Sequence, residues 1–217
     1  YVTQDQVRLD IGTQISKVYS LKHYQADSAA TPLIETGQFP RKIVTDVVPP
    51  MILYRGYPKT QDITTDYRLP AGAPVMSYVE PKPTLQWQVK PEKREILGHS
   101  CQRAEVSFGG RQWIAWFTSE IPLSEGPYKF GGLPGLILEV ADSEGDYRYT
   151  CIGIANLSAG ENIVRWKWNQ RPTTRKELEK IIVQLYANPE QAIKALGGRM
   201  GFKGDPMLNL PYNPIEK

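Results

Sequence analysis

Two groups of carboxylates stand close together in this sequence: Glu120 with Glu125, and Asp142 with Glu144 and Asp146. Paired carboxylates cleave glycosidic bonds when one is kept protonated and the other ionised across a cleft. Glu120 and Asp142 are therefore the pair to consider for a hydrolase acting on a glycan or peptide. The competing reading of Asp142-Ser143-Glu144-Gly145-Asp146 is a solvated turn, and it is preferred. The spacing also departs from a calcium loop with Gly at position six and Glu at twelve. Of the two histidines, His23 and His99 lie far apart, and neither has a second His or Cys at metal-ligand spacing. His99 is two residues from Cys101, but it reads as a turn or edge residue. No Gly-x-Ser-x-Gly occurs, and Cys101 lacks the tight turn or helix start that activates a thiolate. No catalytic residue, metal ligand or cofactor is assigned.

A different kind of chemistry belongs to Phe130-Gly131-Gly132-Leu133-Pro134-Gly135-Leu136-Ile137-Leu138-Glu139-Val140. Gly131 to Gly135 fit neither helix nor regular strand, because Gly favours unusual dihedrals and Pro134 has no donor N–H. The stretch predicts a shaped turn delivered onto a buried strand at 136–141, and Gly131, Gly132, Leu133, Pro134 and Gly135 are read as a structural motif. It lacks the Lys-Ser/Thr of a phosphate loop and opens a strand where such a loop opens a helix. Tyr128 and Phe130 flank Lys129, making an aromatic and cationic edge suited to a ligand or partner. Arg111, Trp113 and Trp116 complete the candidate contact set. Arg111 is expected to brace the loop over 119–135, and at least one Trp to be buried with its indole donor satisfied.

The elements that would position these residues are mostly strands. Residues 103–108 and 111–118 alternate around Gly109-Gly110, a two-residue hairpin turn. Trp113, Ala115 and Phe117 share one face of the second strand, Ile114 and Trp116 the other, and both faces are expected to be covered. A second hairpin joins 136–141 to 147–154, and 163–168 follows as a strand. Shorter strands are predicted at 7–11, 15–21, 42–48, 51–57, 75–80 and 84–89. After Arg171-Pro172 the period changes. Thr174-Arg175-Lys176-Glu177 is a capping box, and Leu178, Ile181, Ile182, Leu185 and Tyr186 recur at helical spacing. Pro189 starts a short second helix. The expectation is one mainly β domain over 1–217: a single curved antiparallel sheet, half-barrel or bowl-like, with strands over about 5–168. One or two short carboxy-terminal helices occupy about 174–196, followed by an irregular tail over 197–217.

Composition narrows the function. A chain of 217 residues with 41% hydrophobic content can bury a real core, and a net charge of +3 is too small to argue for nucleic acid. Arg165-Trp166-Lys167-Trp168 alone interleaves cations with large aromatics, and it reads as a strand with one wet face. No run of about 18 apolar residues exists to form a transmembrane helix.

The chain resembles the GLPGLI family. The likeness is strongest over roughly 80–157, carried by 96–104, Phe108-Gly109-Gly110-Arg111, 115–122, 126–130 and the glycine motif. It is looser at Ile11-Gly12-Thr13-Gln14 and at the closing Asn213-Pro214-Ile215-Glu216. The resemblance implies an exported protein of double-membraned bacteria, often encoded near outer-membrane transporters and without an assigned activity. A start at Tyr1 with no leader is then expected of a trimmed or mature chain. In an exported protein, Cys101 and Cys151 invite a disulfide. Two separately buried thiols are the alternative, and the preferred one. The expected function is non-enzymatic: a protein of the periplasm or outer membrane that binds a small hydrophobic ligand or peptide, or docks an envelope partner such as an outer-membrane transporter. The alternatives are the carboxylate hydrolase and a purely structural accessory subunit.

Overall fold

The computed structural model describes residues 3–36, 50–69, 74–156, 163–166, 169–195 and 212–217. The chain forms two compact units, Tyr1–Pro81 with Ile163–Tyr212, and Lys82–Asn162 with Asn213–Lys217. In chain order the elements are β1 (Val7–Ile11), β2 (Ser16–Ser20), α1 (Leu21–Glu35), β3 (Met51–Arg55), β4 (Asp62–Tyr67) and β5 (Val75–Pro81). They continue with β6 (Gln88–Ile96), β7 (His99–Phe108), β8 (Arg111–Thr118), β9 (Leu136–Asp142), β10 (Arg148–Thr150), β11 (Gln170–Pro172), α2 (Arg175–Ala187) and α3 (Pro189–Ala195). The protein is mainly β, as expected, but its strands divide into two sheets where one was expected. No sheet closes into a barrel among the described residues.

The first unit holds the order β1-β2-β3-β4-β5-β11. All neighbours are antiparallel except β11, which runs parallel to β5. Both sheet faces are largely buried, so β2 reads buried at every position. On one face Met76 and Tyr78 pack with Leu69 against Leu178, Ile182 and Leu185 of α2. That helix starts at the expected capping box: Glu177 N–H donates to Thr174 Oγ1 at 3.2 Å, and Thr174 N–H donates to the Glu177 carboxylate at 3.0 Å. Helix α1 was not expected. Pro32 and the scarcity of periodic apolar residues obscure it, yet Ser20 Oγ accepts from His23 N–H at 3.2 Å and caps its start. The expected strand at 163–168 is not formed over its described part, 163–166; Lys167, Trp168 and the strand expected at 42–48 lie outside the described residues.

The second unit is a five-stranded antiparallel meander, β10-β9-β8-β7-β6. Phe108 pairs with Arg111 across the Gly109-Gly110 turn, as the sequence predicts. Strand β6 extends further than expected because its charged, Pro-containing run pairs with β7 across a bulge between Val89 and Lys93; such a strand suits an edge. Strand β10 is shorter than expected and stops at Thr150. Ala104, Val106, Trp113, Ala115, Phe117 and Val140 form a buried face. The 119–135 segment lays Phe130 on it, with ring centroids 4.7 Å from Trp113 and 5.9 Å from Phe108. The Trp113 indole donates to Phe108 O at 3.0 Å, so one Trp is buried with its donor satisfied. The opposite face is only partly covered: Trp116 is half-buried beneath the Arg94 guanidinium, 4.2 Å from its ring centroid.

The glycine motif joins β8 to β9. Gly132 takes a positive φ of 86°. Gly135 matters by contact instead, because a Cβ there would lie 2.0 Å from the Thr118 carbonyl oxygen. Backbone cannot swing aside as a flexible side chain would. Gly135→Val should therefore lower stability by about 3 kcal/mol. Gly145→Ala, in a left-handed turn with nothing within 4 Å, should cost only about 1 kcal/mol. Denaturant unfolding of the two variants checks the difference, and equal losses would remove the close-contact account.

Candidate functional site

The Gly109-Gly110 turn ends by turning Arg111 inward, and its side chain is fully buried. Its Nη1 donates to Asp142 Oδ2 at 2.6 Å, to Asp146 Oδ2 at 2.7 Å and to Glu144 Oε2 at 3.3 Å. The other edge of the guanidinium meets the end of the chain. Nη2 donates to Asn213 Oδ1 at 2.5 Å and to Pro214 O at 3.0 Å, and Nε to Pro214 O at 3.3 Å. The Tyr147 ring lies 5.0 Å from the guanidinium carbon. A rigid planar fork suits this sharing between two sets of acceptors; an ammonium does not. Burial works to lower the Arg111 pKa, but the bonds and charges of Asp146 and Asp142 outweigh it and hold it above its ordinary value. Asp146 is held below the usual carboxylate range, first by a hydrogen bond with Asn213 and then by Arg111.

Residues 213–217 thus form a strap across the second unit. Tyr147 OH donates to Asn213 O. Glu216 is buried, and its Oε1 accepts from Lys129 Nζ at 2.6 Å and from Tyr128 OH. Lys217 N–H donates to Gly109 O at 2.6 Å, and its ammonium reaches Glu144 at 2.6 Å. The turn glycines make room: a Cβ on Gly109 would lie 2.7 Å from Glu216 Cγ and 2.9 Å from its Cα, and one on Gly110 2.9 Å from Lys217 Cβ.

This placement revises the contact set expected from sequence. Arg111, Trp113, Tyr128, Lys129 and Phe130 are buried, and only Trp116 is partly accessible. The aromatic and cationic edge at 128–130 faces the strap and the unit's own core, so it cannot be the exposed contact edge. Arg111 braces the 142–146 turn and the strap, where a brace on 119–135 was expected. Gly131 to Gly135 sit where the motif reading put them, between the covering segment and β9. Cys101 is buried and Cys151 half-buried, and both are free thiols. Burial pushes the Cys101 thiol up, the wrong direction for a nucleophile.

The two carboxylates of the hydrolase reading do not share a cleft. Asp142 pairs with Trp113 at one end of β8, and Glu120 follows Thr118 at the other end. Five strand residues put them at least about 16 Å apart, beyond the separations that glycoside hydrolysis uses. Glu120 is bound to His99 Nδ1 at 2.7 Å and accepts from Ser100 N–H at 3.1 Å. These bonds hold its carboxyl below the ordinary value, where a general acid needs it raised. Asp142, Glu144 and Asp146 bring one ligand oxygen each within 4.8 Å of one another, the spacing of a metal site. Arg111 and Lys217 already supply positive charge to this trio.

The first unit holds a polar cluster that sequence patterning missed. Lys17 is buried beneath aromatic rings, with centroids 4.6 Å away for Tyr19, 5.3 Å for Tyr24, 5.6 Å for Tyr54 and 5.4 Å for Trp166. Burial is the main reason its pKa is lowered. Arg165 forks onto Asp66 at 2.6 and 2.9 Å. The Arg165-Trp166 pair therefore serves the unit's interior, and the signal for it was the same cation–aromatic alternation read as a strand.

Residues 109–139 match the family described as "Protein of unknown function (Porph_ging)". No curated protein matches the chain. Among solved structures, the protein is similar to two titled "Structure of PNGF-II in P21 space group" and "Structure of PNGF-II in C2 space group". Each is 12% identical with a TM-score of 0.52, covering 85% and 84% of this chain respectively. The chain corresponds to 30% of the length of either PNGF-II chain. At that identity the likeness is one of fold.

Arg111→Lys keeps the charge but loses the fork. It should destabilise the protein by about 3 kcal/mol, as expected for a broken buried ion-pair network. Amide exchange should quicken at 142–147 and 213–217 and stay unchanged at 119–125. Faster exchange confined to 119–135 would restore the loop-brace reading.

Proposed function

We propose that the chain is a non-enzymatic, exported GLPGLI-family protein of the periplasm or outer membrane, which docks an envelope partner. The observation that carries this reading is that the groups with catalytic potential in the second unit are engaged in internal structure. Arg111 is shared among carboxylates and the strap, the Cys101 thiol is buried, and the two carboxylates stand at opposite ends of β8. The family match supports it by falling on the residues that carry the resemblance, from the Gly-Gly turn through the glycine motif. A transporter of the outer membrane is the partner class that the resemblance implies.

Apolar surface for docking lies beyond β10. Ile152 and Ile154 are 72% and 46% exposed on a segment that leaves the edge strand after Cys151 N–H donates to Leu138 O at 2.7 Å. Exposed isoleucines beside a short sheet edge suit an added extended segment. A photo-crosslinking residue at position 152, introduced in the native cell, should give one discrete adduct in the envelope fraction. The same residue at position 103, on the charged face, should give none. Soluble protein without an adduct at 152 would contradict the proposal.

A further inference from the structure

The strap makes its contacts as a ligand does. Four of its five residues make polar bonds: Asn213 and Pro214 meet Arg111, Glu216 meets Tyr128 and Lys129, and Lys217 meets Gly109 and Glu144. The groups that receive it are held from the other side by the unit's own structure. Asp142 and Asp146 fix one edge of the Arg111 guanidinium, and Tyr147 N–H donates to Asp142 at 2.9 Å. Phe130, locked among the rings of Trp87, Phe108 and Trp113, anchors the turn that aims Tyr128 and Lys129. Tyr128 holds a positive φ of 52°, a conformation uncommon for a non-Gly residue and concentrated at binding sites. Such a seat is pre-organised, so little ordering opposes binding.

We propose that the second unit carries a peptide-recognition clamp for an extended acidic segment of the form Asn-Pro-x-Glu, with its own carboxy-terminal strap as the resident ligand. The specificity follows from the donors. The free edge of Arg111 presents N–H groups to an amide oxygen and a carbonyl, a position where Pro214 loses nothing by lacking its own N–H. Lys129, with its side chain 2% exposed, selects a carboxylate at the Glu position. The absent side chains of Gly109 and Gly110 let the ligand backbone approach. The same seat then accepts the segment from outside whenever the strap is out. This inference does not rest on the docking edge at Ile152.

A tethered strap competes at about millimolar effective concentration, so a free peptide registers only once the strap is removed or cut. A chain ending at Tyr212 is titrated with a labelled peptide of the 211–217 sequence, Pro-Tyr-Asn-Pro-Ile-Glu-Lys, followed by fluorescence anisotropy. Saturable binding is expected, at least tenfold tighter than to the intact chain, and at least tenfold weaker when the peptide carries the Glu216→Gln change. A folded shortened chain, judged by circular dichroism, that does not bind would overturn the clamp, as would binding indifferent to Glu216→Gln. Should the shortened chain not fold, a protease site inserted after Gly204 lets the strap be cut after folding. The strap fragment should stay bound through gel filtration and exchange with excess unlabelled peptide. A fragment that falls away, or one that never exchanges, shows a fixed staple and overturns the proposal.

Discussion

The buried guanidinium of Arg111 is the constraint around which the second unit is arranged. A charge taken out of water must be met from every side, because an unmet buried ion is far more costly than a lost surface pair. Here the β9–β10 turn meets it with carboxylates on one edge, and the last residues of the chain meet it with an amide and a carbonyl on the other. Several features of the sequence follow from that arrangement. The Gly-Gly turn must place Arg111 beneath the sheet end, and it must also stay bare so that Glu216 and Lys217 can lie over it. The acidic turn at 142–146 is acidic because it serves a buried cation.

A second buried cation repeats the logic a short distance along the strap. Lys129 meets Glu216, with Tyr128 OH on the same oxygen. The segment that carries Lys129 is pinned to the core by Phe130 and then passes through the glycine motif, where Gly135 slides against the Thr118 carbonyl. The glycine motif and the strap are thus consequences of one packing problem, which is to cover the Trp113 face of a five-stranded sheet.

Much of the local structure was legible in the sequence. The capping box at Thr174, the Gly-Gly hairpin and the meander through β9 each rest on short-range chemistry, and each is found. What was hidden depends on long-range pairing. Alternation cannot say whether two strands share a sheet, so the two sheets read as one. Helix α1 has no apolar stripe and carries Pro32 within it, so no sequence signal marks it. Asn213 to Lys217 has no periodicity at all, and it meets Arg111 across about a hundred residues of chain. Composition at 128–130 suggested an exposed edge for a ligand or partner. It could not show that the partner is the chain's own end and that the residues are therefore buried.

The central claim is that the acidic turn and the strap are coupled through Arg111 and not merely neighbours. A double-mutant cycle on stability, pairing Asp142→Asn with Asn213→Ala, measures that coupling directly. The account predicts a coupling energy above about 0.5 kcal/mol, the range for residues in one network, and its disappearance when the cycle is repeated in an Arg111→Met background. Additive effects of the two substitutions, or a coupling that survives without Arg111, would contradict it.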